Sequence, residues 1–270
     1  MKSITAALTA FAASALVSIA HAGAVYTAEQ RDAASGRTLS TTTLSVQDKQ
    51  LRAEQLETGK TQAEHVMIFK DGNLLMIDHG KKTYTVLDKA AMQRLGSAAN
   101  NAMQQLEQAM AGMSEEQKAM VQKMMGKNLP GPAKSKSAPV KLRNTGKTEQ
   151  VGEYTCRLWE GTRDGVVQWQ HCVVDFDKVT GSREAMESMK AMSAMMEEFM
   201  QSMDAAWFRD AVGDAWEGMK DIDGYPVLTR TFKDGKPDTE TVLQSARTAT
   251  LAASSFEAPS GYKRKDIDLP

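Results

Sequence analysis

Methionine thioethers are the side chains whose number and spacing in this sequence most suggest a chemical role. Eighteen of the 270 residues are methionine. Residues 184–203 repeat them at intervals of three and four, and at about 100° per residue this spacing forms one face of an α-helix. The methionines of that face are Met189, Met192, Met196, Met200 and Met203. A second run has the same spacing: Met92, Leu95, Ala99, Met103, Leu106, Met110 and Met113.

Such stripes are compatible with three roles. Methionine fills irregular gaps in protein cores, so the first role is packing. The second is an adaptable apolar groove for a lipid, an acyl chain or a partner. The third is a soft-metal or oxidant buffer, because Met-x-x-Met sulfurs on one side of a helix suit Cu(I) and thioethers react with oxidants. The stripes are too long for a metal site and lack nearby histidines, so we assign no metal. We treat eight of the methionines as groove candidates: Met92, Met103, Met110, Met189, Met192, Met196, Met200 and Met203.

Recognisable catalytic machinery is absent from the sequence. It has no Gly-x-Ser-x-Gly elbow, no His-Glu-x-x-His helix, no phosphate-binding glycine loop and no Cys-x-x-Cys pair. Beyond residue 22 the histidines are His65, His79 and His171, and they do not suggest a complete ligand set. We therefore predict no catalytic residue, no cofactor and no enzymatic activity.

The first 22 residues have the pattern of a cleavable signal peptide. Lys2 precedes an apolar run, Ile4–Ala20, and Ala20-His21-Ala22 fits the small-x-small cleavage rule. A membrane anchor is the alternative, but the run is rich in alanine and only weakly hydrophobic. Gly23 follows the cut, so no cysteine is placed to receive a lipid. The sequence predicts a soluble, non-lipidated periplasmic protein without a transmembrane anchor.

The charge of the chain limits the classes of partner. The formal net charge is −1, which gives no reason to expect nucleic acid or an anionic membrane as a partner. The length after the leader is enough for one sizeable core or two small ones. We predict a single domain over residues 23–270.

The two cysteines predict a disulfide between Cys156 and Cys172, because an exported chain meets oxidising conditions. They lie on opposite arms of a predicted hairpin that turns at Arg163-Asp164-Gly165. A three-residue loop there would place Cys156 opposite Cys172 on one face and Trp159 opposite Trp169 on the other. The agreement of two pairs favours this register.

Alternating apolar residues and turn signals predict β-strands along most of the chain. The predicted strands are 24–32, 38–47, 49–57, 65–69, 74–78, 83–87, 140–145, 148–151, 226–232, 239–246 and 249–254. Leu74–Ile77 is apolar on both faces, so we expect cover on each side, with helices as the obvious cover.

Helical insertions interrupt the strands at about 89–127 and 182–220. Asp88 and Ser182 are predicted N-caps. Residues 128–139 contain three prolines without periodicity, which indicates an exposed loop. The pattern predicts an α+β fold, an antiparallel sheet with methionine-rich amphipathic helices packed on it.

Three stretches resemble a family of exported bacterial proteins classed only as a domain of unknown function. They are Leu75–Asp88, Gly152–Cys156 and Phe256–Tyr262. The family's sheet is similar to that of the lipoprotein carriers and receptors of the LolA and LolB type. The resemblance implies a strongly curved antiparallel sheet, an unclosed half-barrel, with helices on its concave face. It implies no catalytic residue.

These observations lead to a functional expectation. The chain is predicted to be a non-enzymatic periplasmic protein that binds a hydrophobic ligand or an envelope partner between helices and sheet. The alternatives are the soft-metal or oxidant buffer and a purely structural envelope module.

Overall fold

The computed structural model describes residues 22–114, 140–202 and 221–267. Within them, twelve strands form one curved, unclosed sheet that carries two α-helices. The strands are β1 Gly23–Asp32, β2 Thr38–Gln47, β3 Gln50–Glu57, β4 His65–Lys70, β5 Asn73–Asp78, β6 Thr83–Leu87, β7 Lys141–Val151, β8 Tyr154–Arg163, β9 Val166–Val174, β10 Tyr225–Lys233, β11 Lys236–Ala249 and β12 Lys263–Lys265. The helices are α1 Lys89–Ala111 and α2 Ser182–Ser202, with short 3-10 helices at Phe176–Lys178 and Ala253–Phe256. The α+β class is confirmed.

The strand order across the sheet is β12-β6-β5-β4-β3-β2-β1-β11-β10-β9-β8-β7. On each side, strands that are consecutive in sequence pair antiparallel, and β1 joins the two sides by pairing with β11. The strand β12 is the exception, because it pairs parallel with β6 at one edge. The first described strand, β1, therefore lies in the middle of the sheet, and the last, β12, lies at one edge.

Most predicted strands are confirmed, and the differences fall late in the chain. The two predicted strands at 140–151 form one strand, β7, with an irregularity between Asn144 and Thr148. The strand predicted at 249–254 is wrong, because β11 ends at Ala249 and a 3-10 helix follows at Ala253–Phe256. The segments 115–127, 128–139 and 203–220, which include parts of both predicted insertions, lie outside the described residues.

The predicted hairpin register at β8–β9 is wrong by two residues. Asp164 and Gly165 both have positive φ and form a two-residue turn, with Arg163 paired to Val166. A bulge between Gly161 and Thr162 then shifts the pairing, so that Leu158 lies opposite Cys172, and Trp159 opposite His171. Trp169 packs over Gly161 instead of facing Trp159.

The disulfide is confirmed despite the shifted register. Cys156 and Cys172 are bonded, with their Cα atoms 5.2 Å apart. A shift of two residues leaves both side chains on the same face of the sheet, whereas a shift of one would have separated them. The face of each cysteine was therefore predicted correctly although its direct partner was not.

The two predicted helix caps have different outcomes. Asp88 caps α1, since its Oδ1 accepts a 2.7 Å hydrogen bond from the backbone N–H of Ala91. Ser182 is instead the first residue of α2, and its hydroxyl donates to the carbonyl of Phe176 at 2.7 Å. Ser182 therefore ties the helix start to the preceding 3-10 turn.

The main hydrophobic core lies between the helices and one face of the sheet, called here the inner face. A row of directly paired side chains crosses β2 to β6 under the helices: Val46, Leu51, Phe69, Leu74 and Leu87. All five are buried in one cluster with Ala91 and Met92 of α1 and Ala185, Met192, Met195 and Phe199 of α2.

The opposite, outer face of β4–β6 is covered by the C-terminal segment. Val66, Ile68 and Ile77 are buried against Phe256, with Leu251 packed at the margin. The guanidinium of Arg52 also donates to the carbonyl of Ser255 at 2.9 Å. The expectation that helices cover both faces of β5 is therefore wrong for one face, because the segment after β11 returns across it.

Neither described helix is both long and apolar enough to span a bilayer.

Candidate functional site

The helix methionines whose side chains are described belong to the core. Met92 and Met192 are 6% and 3% exposed. Met189 and Met196 are half-buried and pack against the same cluster. A ligand could reach the two buried thioethers only by displacing packed side chains.

For four of the groove candidates the surroundings of the side chain are not described. Met103, Met110 and Met200 lie on α1 and α2, but the structure does not describe their side chains. Met203 lies outside the described residues. Their place in a groove stays a prediction.

An open trough lies on the inner face beside the helices, on strands β2 to β6 and β12. Its floor is a row of side chains one step outward from the buried row, called here the methionine row. Direct strand pairing joins its members in order: Leu44, Ala53, Met67, Met76, Thr85 and Lys265. All of them except Leu44 line the trough. The trough has a volume of about 760 Å³, which is within the range of small-molecule pockets.

Met76 is the most exposed apolar side chain of the methionine row. Leu44, Ala53 and Met67 pack partly against the main core, whereas Met76 remains 43% exposed. The next row outward is polar and contains Thr42, Gln55, His65, Asp78 and Thr83. A ligand on the methionine row would therefore meet an apolar floor with a polar margin.

Ion pairs occupy part of the charged rim. The ammonium of Lys81 lies 2.8 Å from the carboxylate of Asp78, whose other oxygen accepts the Lys81 backbone N–H at 2.8 Å. The side-chain hydrogen bond from Lys81 is the main cause that lowers the pKa of Asp78. Glu54 is likewise paired with Arg52. These four charges are already matched within the protein.

The three histidines lie in separate environments. His65 is exposed on the polar row of the trough. The Nδ1 atom of His79 lies 2.7 Å from the hydroxyl of Tyr262 in the C-terminal segment. His171 is buried, with its Nδ1 2.9 Å from the hydroxyl of Thr229. Within the described ranges no three His, Cys, Asp or Glu side chains are grouped to hold a metal ion.

Acid is expected to destabilise the fold through His171. Burial disfavours the imidazolium and lowers the pKa of His171 to about 4. The unfolded imidazole titrates near pH 6.5, so the unfolded state binds the proton first as pH falls, and about 3 kcal/mol of stability is lost between about pH 6.5 and 4. Urea unfolding across this window measures the loss.

Two variants isolate that contribution from other titrating groups. His171→Phe is expected to flatten the stability profile by most of the His171 contribution, because phenylalanine keeps the ring packing against Trp169 and does not titrate. The exposed His65→Gln should retain the wild-type slope. An unchanged slope in His171→Phe would refute the assignment.

The trough was not predicted from the sequence. Met67 and Met76 each stand at an inner-face position of a short strand, and neither belongs to a helical stripe. Because they alternate with Val66, Ile68 and Ile77, the sequence indicates that β4 and β5 are apolar on both faces. The row itself depends on five strand registers, which local patterns do not supply.

Comparisons with known proteins assign no family to the chain. No protein-family model and no curated protein matches it. An uncharacterized conserved protein from Thermus thermophilus has a similar solved structure, with 9% identity, a TM-score of 0.44, and coverage of 90% of this chain and 89% of that one. A structure of PNGF-II has 8% identity and a TM-score of 0.40, covering 91% of this chain but 31% of PNGF-II. Both likenesses are too weak to carry an argument about function.

Proposed function

We propose that the chain is an exported, non-enzymatic periplasmic protein that binds a lipid or acyl chain on the methionine row. The observation that carries this proposal is the open trough, whose floor contains Met67 and the exposed Met76. The Cys156–Cys172 disulfide supports an oxidising compartment. In this proposal the helices lie on the concave face, and the trough is the part of that face beside them.

The dimensions of the row fit one apolar chain. Within the trough, Ala53 to Thr85 crosses three strand spacings of about 4.8 Å, or about 14 Å. A bilayer core of about 30 Å contains two acyl-chain layers, so each layer is about 15 Å thick. Thioethers are adaptable surfaces for such chains, because methionine has several rotatable bonds and a polarisable sulfur.

A charge placed on the trough floor should abolish most of this binding. Met76→Asp is expected to weaken binding of the neutral apolar dye Nile red by about tenfold or more, because ligand binding would desolvate the new carboxylate. Met76 is already 43% exposed, so the substitution should leave the fold intact. Fluorescence titration gives the affinity, and native mass spectrometry of gently purified protein tests for a stoichiometric apolar ligand.

Val166→Asp is the matched control for this substitution. Val166 is 50% exposed at the β8–β9 hairpin, outside the trough. The substitution Val166→Asp adds the same charge as Met76→Asp and should leave Nile red affinity unchanged. The proposal fails if wild-type protein neither binds the dye saturably nor retains an apolar ligand.

A further inference from the structure

We propose that the trough ligand is a long-chain carboxylate, with its chain on the methionine row and its head group at Lys265. This inference rests on the proposed function and adds the chemical class and orientation of the ligand. It is motivated by the way the row ends. Four inter-strand spacings from Ala53, about 19 Å away, an ammonium group terminates an otherwise uncharged row.

The fold places Lys265 at that end by a long-range return of the chain. The strand β12 follows the C-terminal segment that crosses the outer face, and it pairs parallel with β6. This register puts Lys265 opposite Thr85, at the sheet edge and on the trough lining. The side chain is exposed, and it has no carboxylate partner within the ranges that the structure describes. The ammonium is therefore available to an anionic group.

Two other cations near this end, Lys81 on the trough lining and Arg264 beside Lys265, are committed to carboxylates. The pKa of Lys81 is raised first by its hydrogen bond with Asp78, then by the charge of Asp78, and further by the charge of Glu64. Arg264, on the same short strand as Lys265, lies 3.7 Å from Asp88 at the start of α1. Neither cation is as free as Lys265 to hold a ligand head.

The opposite margin of the trough has a different charge balance. Lys60 and Glu57 both line it, and the backbone N–H of Lys60 donates to the Glu57 carbonyl at 3.0 Å. An ammonium and a carboxylate are thus present in the same turn. Glu57 would repel an anionic head, whereas Asp78 on the other side is already paired with Lys81, so the Lys265 end is favoured for a carboxylate.

The carboxylate class follows from the size and polarity of this end. A carboxylate can accept charge-assisted hydrogen bonds from an ammonium, and these are stronger than bonds between neutral groups. Thr85 adds a hydroxyl beside it in register. An alcohol of the same chain length would make the apolar contacts but would lack the charge pairing.

The inference is tested by displacing Nile red from the trough with dodecanoate and with dodecanol. Wild-type protein should bind dodecanoate about tenfold more tightly than dodecanol, as expected for a charge-assisted contact. Lys265→Gln should remove that preference by weakening dodecanoate alone, and Lys265→Arg should restore much of it. Lys236→Gln, in the distant β10–β11 turn, is the matched control and should change neither affinity.

Each outcome supports or overturns the inference separately from the proposed function. Equal wild-type affinity for the two competitors, or equal weakening of both in Lys265→Gln, would overturn it. A preference lost in Lys60→Gln but kept in Lys265→Gln would reverse the orientation and refute the assignment. In these cases trough binding itself still stands. Wild-type protein that binds neither competitor would remove the proposed function together with the inference.

Discussion

Replacing Cys156 and Cys172 together by alanine is expected to lower the free energy of unfolding by about 3 kcal/mol, as loop-closure entropy predicts for about 15 residues. The two cysteines are 16 residues apart and bonded. Their side chains are 1% and 0% exposed in the main core, so alanine avoids burying an unpaired hydroxyl. Urea unfolding of the oxidised wild type and the double variant measures the difference.

The reduced wild-type protein separates the cross-link from side-chain packing. A reductant should shift the unfolding midpoint of the wild type toward that of the double variant and leave the double variant unchanged. Mass measurement after alkylation provides the chemical check. Two freely alkylated thiols in protein that was never reduced would refute the disulfide, and an equal response of both proteins to reductant would refute its stabilising role.

The cross-link strengthens the side of the sheet opposite the trough. It joins β8 to β9, whereas the methionine row crosses β2 to β6 and β12. Loss of the disulfide should therefore lower stability without changing Nile red affinity under conditions where the variant is still folded. This separation allows the compartment argument and the binding argument to be tested independently.

Local sequence patterns predicted the parts of the fold that short-range chemistry determines. Asp-Gly pairs at Asp71-Gly72, Asp164-Gly165 and Asp234-Gly235 form turns in which both residues have positive φ. Asp88 caps α1 as predicted because its partner is only three residues away. Such contacts need no knowledge of the rest of the sheet.

Long-range features were predicted less well, for a physical reason. The β1–β11 pairing and the return of β12 to β6 join segments separated by most of the chain. The trough needs these registers to be known together, since an error of one residue moves a side chain to the other face. The helical stripes, in contrast, could be recognised locally, although the groove candidates Met92 and Met192 are buried in the core.

Gly224→Ala is expected to reduce stability by at least about 3 kcal/mol, because it combines backbone strain with a steric clash. Gly224 has φ +136°, and a Cβ there would lie 2.3 Å from the carbonyl oxygen of Val174 and 2.6 Å from Cγ1 of Val173. The glycine immediately precedes the pairing of Tyr225 with Val174 that joins β10 to β9. An added methyl group must therefore displace the hydrogen-bonded backbones of β9 and β10.

Gly235→Ala is the control that separates conformation from space. Gly235 has φ +74° in the β10–β11 turn, and a Cβ there would meet no atom within 4 Å. Its substitution should reduce stability by only about 1–2 kcal/mol, the strain of a left-handed residue. Urea unfolding of both variants gives the comparison. Equal losses would show that the close approach to Val174 is relieved at little energy, and that β10 can shift on β9 without disturbing the inner-face core.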